Sequence, residues 1–319
     1  MSFVEENDPS EDTIAELSLE ELTEKFFGPI PPPVKVEFGA LSHPGKVRTN
    51  NEDHYGVVRR RRSRDVLLTN LPDGLLPPSE DVSYAMAVAD GIGGAAFGEL
   101  ASMFALRTGW DLTGSAFKWH FKMSEQEFQE LEEMLKVYGQ LIHRDLLERA
   151  QADPRLAGMG TTITAALTFG LDAIIAHVGD SRAYLFRDGS LERLTRDHTM
   201  AQQMVDTGVI PSVSHASRIM QHMLVNCLGG RNRDEIEVDV SRVQLDDGDR
   251  LLLCTDGLTD MVNDEEIMRI LTTRPQPDDA CRVLVDLALE HGGKDNVTVV
   301  LARFAIDSDG GVGTRKWSA

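Results

Sequence analysis

Five aspartates and one glutamate of this chain stand where folding could gather them. Asp90, Asp180 and Asp256 each follow or border an apolar run and sit beside a glycine (Gly91, Gly179, Gly257), Asp295 comes just before the last apolar run, and Glu52 with Asp53 closes the segment RTNNED. A single Asp-Gly pair is a turn in most proteins. Strand ends in a layered sheet can converge on one cleft, however, and carboxylates sharing a cleft repel one another and raise their pKa values unless a cation neutralises them. All-oxygen ligation suits a hard divalent ion, Mg²⁺ or Mn²⁺, better than zinc. Two such ions roughly 3.5–4 Å apart are a common arrangement for activating a water against a phosphorus centre.

Other chemistry competes at the same places. Residues 91–96 (GIGGAA) fit the dinucleotide fingerprint GxGxx(G/A), and an acid, Asp111, lies 20 residues beyond Gly91. Against that reading, Asp90 would set a negative charge beside a pyrophosphate, and the strands downstream are joined too tightly for the crossovers a dinucleotide fold needs. Cys254 lies in an apolar strand-like run, where a buried thiol is most often inert packing.

The elements that must position these residues are legible from periodicity. Apolar, often alternating runs ending in turn signals predict strands at 84–89, 161–169, 173–178, 183–186, 250–254 and 297–304. The three in the middle are separated by only a few residues, which fits antiparallel hairpins. Helices are expected at 98–110, 124–151 (with Ser124 and Glu127 as a capping box), 199–207, 264–271 and 278–291. Strands in the middle flanked by helices argue an α+β architecture of layered sheets with helices outside.

Composition narrows the function. The 319 residues carry 32 Lys+Arg against 52 Asp+Glu, a formal charge of −20, the wrong sign for neutralising a nucleic-acid backbone. Cys227, Cys254 and Cys281 stand far apart without CxxC spacing, so neither a disulfide framework nor a thiolate zinc site is expected. No apolar run reaches the roughly 18 residues that span a bilayer, and the first residues are acidic where a signal peptide would be basic, so a cytoplasmic location is expected.

The charge is unevenly spread. Residues 1–24 hold nine acids and no Lys or Arg, with Ala15, Leu19, Leu22 and Phe26 at helical spacing, and Pro29 and residues 31–33 (PPP) then end any helix. We read 1–33 as an acidic tail and Pro-rich linker, 34–306 as the folded domain and 307–319 as a C-terminal tail. Residues 59–83 open with five arginines in six positions and continue with prolines, which predicts an inserted loop. Its arginines could attract the acidic tail, or an acidic or phosphorylated segment of a partner.

Seven segments in order, GKVRTNNED (45–53), VADGIGG (88–94), GMGTTITAAL (158–167), AHVGDSRAYLFRDGSLERLTRDHT (176–199), CLGG (227–230), LLLCTDGLTD (251–260) and GGKDNVTVVLARF (292–304), resemble the metal-dependent serine/threonine protein phosphatases of the PP2C (PPM) type in their bacterial form. The resemblance implies a four-layer α-β-β-α sandwich of two antiparallel sheets with the metal centre at one end. It implies Mn²⁺ or Mg²⁺ as cofactor: Asp90 matches the bridging carboxylate, Gly91 a carbonyl ligand, Asp256 and Asp295 the remaining direct ligands. Glu52, and beside it Asp53, matches the acidic site behind a metal-bound water, and Asp180 with Asp256 the position of a third, weaker ion. Arg48 matches the arginine that holds the substrate phosphate, and residues 200–226 the flap beside the cleft. The implied reaction is attack of a metal-bridging hydroxide on phosphoserine or phosphothreonine in proteins targeted by Ser/Thr kinases, by a monomer needing neither nucleic acid nor membrane. Where eukaryotic members carry a histidine after Asp-Gly, this chain has Ile92, and His198, His215 and His222 lie in or near the flap. The alternative from another class is a non-catalytic phosphoprotein-binding module on the same fold, disfavoured because every metal-site acid is present.

Overall fold

The structure, a computed structural model, describes residues 34–71, 79–93, 97–116, 124–230 and 235–306. The expected tail helix within 1–24, the Gly-rich end and residues 94–96 of the fingerprint lie outside the described residues. In chain order the first half holds β1 (Val34–His43), β2 (His54–Arg64), β3 (Ser79–Ala89), β4 (Gly91–Ile92), α1 (Phe97–Ala116), α2 (Glu125–Ala152), β5 (Gly160–Thr161), β6 (Ile163–Phe169) and β7 (Asp172–Val178). The second half holds β8 (Arg182–Arg187), β9 (Ser190–Arg193), α3 (Met200–Asp206), α4 (Arg218–Gln221), β10 (Leu228–Gly229), β11 (Asp239–Gln244), β12 (Arg250–Cys254), α5 (Asp256–Thr259), α6 (Asp264–Thr273), α7 (Pro277–Glu290) and β13 (Val297–Ile306).

Two five-stranded antiparallel sheets, ordered β1-β13-β12-β8-β9 and β11-β7-β6-β3-β2, pack face to face. Period-2 alternation builds the layers. On β12, Leu251 and Leu253 enter the core between the sheets with Met86, Val88, Val300 and Phe304, while Leu252 and Cys254 face outward. The outward set packs on α6 and α7 through Ile267, Leu271, Cys281 and Leu284. On β3 the opposite phase, Ala85, Ala87 and Ala89, meets the other helical layer through Leu131, Leu135 and Leu106 of α1 and α2. The expected four-layer sandwich is therefore present, and its strands pair antiparallel throughout the two sheets. That pairing removes the parallel crossover a dinucleotide fold requires.

One expectation fails. Residues 59–64 and 79–83, read as loop, are ladder: Arg59 pairs with Tyr84, Arg60 with Ser83 and Arg61 with Val82. Charge and proline content suggested a loop, yet β2 is an edge strand, where arginine is tolerated and keeps further strands from adding. Among the described residues only 65–71 of that stretch lack regular structure.

The capping box at the start of α2 forms as the sequence predicts: the Glu127 amide donates to Ser124 Oγ at 3.2 Å and the Ser124 amide to Glu127 Oε2 at 2.8 Å. Replacing Ser124 with Ala removes one of these partners and is expected to cost about 1 kcal/mol, read as a melting temperature lower by about 2 °C. An unchanged melting temperature would mean that the first turn of α2 contributes nothing to global stability.

Candidate active site

The loops at one end of both sheets enclose a cleft of about 540 Å³ lined by Arg48, Glu52, Asp90, Gly91, Asp180, Asp256 and Asp295. Asp90 leaves the end of β3, Asp180 lies between β7 and β8, Asp256 opens α5 just past β12, and Asp295 and Glu52 precede β13 and β2. Antiparallel order sets these strand ends side by side. Asp53 is the exception among the predicted ligands: it is buried behind the wall, where Thr255 Oγ1 donates to its Oδ2 at 2.8 Å.

Crowding dominates the electrostatics. Burial and the charges of Asp53, Asp256, Asp180 and Asp295 all push the Asp90 carboxyl well above its ordinary pKa. Asp180 is pushed up by burial, then by Asp256 and Asp197, against a smaller pull from Arg182. Burial raises Asp53 to about 7, with Asp256 and Asp295 adding to it and its hydroxyl partners opposing. Glu52 is raised by burial, against the pull of Arg48. Arg48 Nη2 meets Asp295 Oδ2 at 2.6 Å, the one close cation on the cluster among the ion pairs of the described residues apart from His222 and Arg218 at its rim. The Oδ1 atoms of Asp53 and Asp256 are buried and accept no hydrogen bond. Repelling carboxylates with unpartnered oxygens in an all-oxygen set fit hard divalent cations.

Comparison with known proteins agrees with this geometry. The protein phosphatase 2C family model matches residues 78–288. The chain belongs to the protein phosphatase 2C family. It is 31% identical over 266 residues to the serine/threonine phosphatase stp of Listeria monocytogenes, covering 83% of this chain and 95% of that one. It is 36% identical over 267 residues to the serine/threonine protein phosphatase PstP of Mycobacterium tuberculosis, covering 84% of this chain and 45% of that longer protein. The catalytic domain of PstP in complex with two manganese ions superposes with a TM-score of 0.65 at 32% identity, over 86% of this chain and all of that one. The family model spans Asp90, Asp180 and Asp256; Arg48, Glu52 and Asp295 lie outside its bounds, and the fold places them in the same cleft.

Within this phosphatase-2C cleft, supporting residues that the sequence reading did not single out hold the loops. Asn296 donates from Nδ2 to the carbonyls of Pro44 (3.0 Å) and Asn50 (2.8 Å) and accepts the Glu52 amide at 2.8 Å, which clamps the Arg48 loop to the start of β13. Thr162 Oγ1 accepts the Asp90 amide at 3.0 Å, and Thr161 Oγ1 donates to the Asp90 carbonyl at 2.7 Å. Gly91 packs so tightly on Gly98 of α1 that a Cβ on either would strike the other's backbone. Asp260 was also passed over; its four-residue spacing from Asp256 puts both carboxylates on one helical face, and His222 sits 3.9 Å from Asp256 and 3.5 Å from Asp260. Those two carboxylates, Asp256 first, raise the His222 pKa.

The remaining histidines and the cysteine do structural work. His198 Nδ1 accepts the Gly179 amide at 3.1 Å while Nε2 faces Asp239 Oδ2 at 3.1 Å, fixing the turn that carries Asp180. His215 bonds Ser212 away from the cleft. Burial pushes the Cys254 thiol up to about 12, which leaves it inert as a nucleophile. In the flap region, α3, a short 3₁₀ turn (Val213–His215) and α4 bring Arg218, His222 and Leu224 to the cleft.

Two predictions follow from these contacts. Asn296→Ala strands the Glu52 amide and two carbonyls, each worth about 1–3 kcal/mol when buried and unpaired; the expected result is a loss of about 2–4 kcal/mol in denaturant melts with kcat/KM reduced about tenfold or more. Native activity in that variant would show that the Arg48 loop is held elsewhere. His177 is buried beside His198, with Nε2–H donating to the Arg196 carbonyl at 3.0 Å, and burial with the His198 ring lowers its pKa to about 4. The unfolded imidazole titrates near ~6.5, so between these values the unfolded chain binds more protons and stability falls as the pH drops. Melts across this range should show that acid slope flattened in His177→Gln; an equal slope would assign it to other groups.

Proposed function

We propose that the acidic cleft is the hydrolytic centre of this enzyme and that its substrates are phosphoserine and phosphothreonine side chains of proteins. The enzyme is a metal-dependent protein serine/threonine phosphatase, in keeping with its family and its relatives. The observation that carries the site assignment is the crowding of Asp90 by four other carboxylates together with the unpartnered Oδ1 of Asp256. Asp90, Asp256, Asp295 and the Gly91 carbonyl would hold two Mn²⁺ or Mg²⁺ ions, with Glu52 and Asp53 behind them and Asp180 sharing a third position with Asp256. Bound there, such ions supply Lewis acidity toward the phosphoryl group and an activated water.

The chain's own residues do the rest. Arg48, 56% exposed at the rim, offers the planar fork of donors that fits a phosphate dianion, and its Nη2 contact with Asp295 keeps it over the cluster. Thr161, Thr162 and Asn296 hold the backbone around Asp90 and Glu52 without using the carboxylate oxygens. The cleft is bounded by the Arg48 loop on one side and by Arg218 and His222 of the flap region on the other. We assign the catalytic domain to residues 34–306 and infer a monomer acting on the targets of Ser/Thr kinases. Three free cysteines support a reducing, cytoplasmic setting, and among the described residues no helix is long and apolar enough to cross a membrane. No observation favours a non-catalytic binding module.

Hydrolysis of a phosphothreonine peptide with Mn²⁺, run beside calorimetric Mn²⁺ titration, tests the assignment. Chelation with EDTA and Asp256→Asn should each lower turnover by about a hundredfold or more, Asp256→Asn should weaken Mn²⁺ binding, and Arg48→Ala should raise KM for the peptide. Activity that survives chelation, or Mn²⁺ binding untouched by Asp256→Asn, would overturn it.

A further inference from the structure

Among the described residues four basic side chains line the cleft, and three of them are already engaged. Arg48 meets Asp295; on the opposite rim Arg218 meets Asp260, and His222 meets Asp256 and Asp260. The fourth, Lys294, is exposed, and its ammonium forms no hydrogen bond or ion pair among the described residues. The obvious partner is its neighbour Asp295, but both carboxylate oxygens there are taken. Oδ2 accepts from Arg48 Nη2 at 2.6 Å and Oδ1 from the Asn296 amide at 2.9 Å.

The backbone holds Lys294 firmly in that place. Gly292 and Gly293, with φ of 129° and 53°, form the turn that closes α7, and their amides donate to the Leu289 and Ala288 carbonyls at 3.1 and 3.0 Å. A Cβ on Gly292 would lie 3.9 Å from Lys294 Cγ and Cε and from Met261 Sδ, so the lysine stem rests over this turn beside another residue of the cleft wall. The loop that carries Arg48 is joined to the same turn. The Lys46 amide donates to the Gly293 carbonyl at 2.7 Å, and Gly45, with φ of 78°, approaches the Asp295 carbonyl more closely than any Cβ would permit. Lys46 is exposed and likewise without an ion pair among the described residues, so one rim of the acidic cleft carries Arg48, Lys294 and, beside them, Lys46.

We propose that Lys294 is a specificity-determining residue: it reads acidic side chains flanking the phosphorylated residue, so that the enzyme prefers acidic phosphopeptide segments. The inference rests on the phosphopeptide site proposed above and adds a substrate preference to it. A phosphate gripped by Arg48 sits next to Asp295, and consecutive Cα atoms are about 3.8 Å apart, so Lys294 leaves the backbone one short step from that phosphate. A bound peptide advances about 3.3 Å per residue, which sets the ammonium against positions within about three residues of the phosphorylated one. An ammonium lacks the planar fork of Arg48 and acts as a point charge, so it selects for charge and tolerates either Asp or Glu at variable spacing.

Three phosphothreonine peptides, with Ala, Glu or Lys filling the three positions on each side, test this in the presence of Mn²⁺. At ~50 mM salt kcat/KM should be about three- to fivefold higher for the Glu-flanked than for the Ala-flanked peptide, and the ratio should approach one at ~1 M salt. Lys294→Ala should bring the low-salt ratio close to one. Lys294→Glu should invert it in favour of the Lys-flanked peptide, an effect that a merely structural role would not produce. A Glu preference that survives Lys294→Glu, or a ratio equal in all three enzymes, would overturn the inference and leave the phosphatase assignment standing. Hydrolysis of none of the peptides would overturn that assignment, and the inference with it.

Discussion

Mutual repulsion among carboxylates gathered at one end of two sheets is the constraint on which the rest of this molecule depends. Asp90 feels four other acids as well as its own burial, and every one of these influences disfavours its charged form. Such a cluster is a liability to a folded chain unless counter-charge is supplied. In the proposed assignment the fold accepts the liability because the chemistry needs it: a site ready to receive divalent cations has to present carboxylates that are not already satisfied by protein donors.

That requirement explains how the loops are held. The hydrogen bonds around Asp90 and Glu52 fall on backbone atoms: Thr162 and Thr161 on the amide and carbonyl of Asp90, Asn296 on the amide of Glu52, Ser102 on its carbonyl at 2.6 Å. Position is fixed through the main chain while side-chain oxygens stay available. Rigidity comes from close approach as well. Gly91 against Gly98, and Gly257 against the Asn296 carbonyl, bring three loops nearer than any Cβ would permit. The deepest support is Thr255, whose hydroxyl joins buried Asp53 to the amide of Thr298 and so ties β13 to the loop before β2.

Residues beside strand ends were legible in the sequence because two periodicities are local: alternation marks β12 and β13, and an Asp-Gly after an apolar run marks the turn that follows. What could not be read was set by partners distant in sequence. Asn296 looks like any asparagine until Pro44 and Asn50, some 250 positions earlier, are brought to its amide. Asp53 reads as a further candidate beside Glu52, yet only Glu52 lines the cleft, because Asp53 is buried on the Thr255 hydroxyl, a partner some 200 positions later in the chain. The arginine-rich stretch misled for a related reason. Its charge suggests solvent, while its alternation is masked because both faces carry arginine, one directed to Thr113 and one exposed.

In the proposed site, the pairing of Arg48 with Asp295 would link substrate binding to cation binding in one contact. A guanidinium has five donors, and at 2.6 Å one of them is committed to a carboxylate that is itself a proposed metal ligand. Any change in charge at Asp295 therefore alters the orientation of Arg48, and a phosphate taken up by Arg48 alters the field at Asp295. The two positions cannot act independently, and substitutions at them should not be additive. Because Arg48 is carried on the loop that Asn296 clamps to β13, the residue after Asp295 also sets where the arginine stands. On the proposed assignment, phosphate recognition and metal affinity thus share one short stretch, Asp295 and Asn296, just before the last strand.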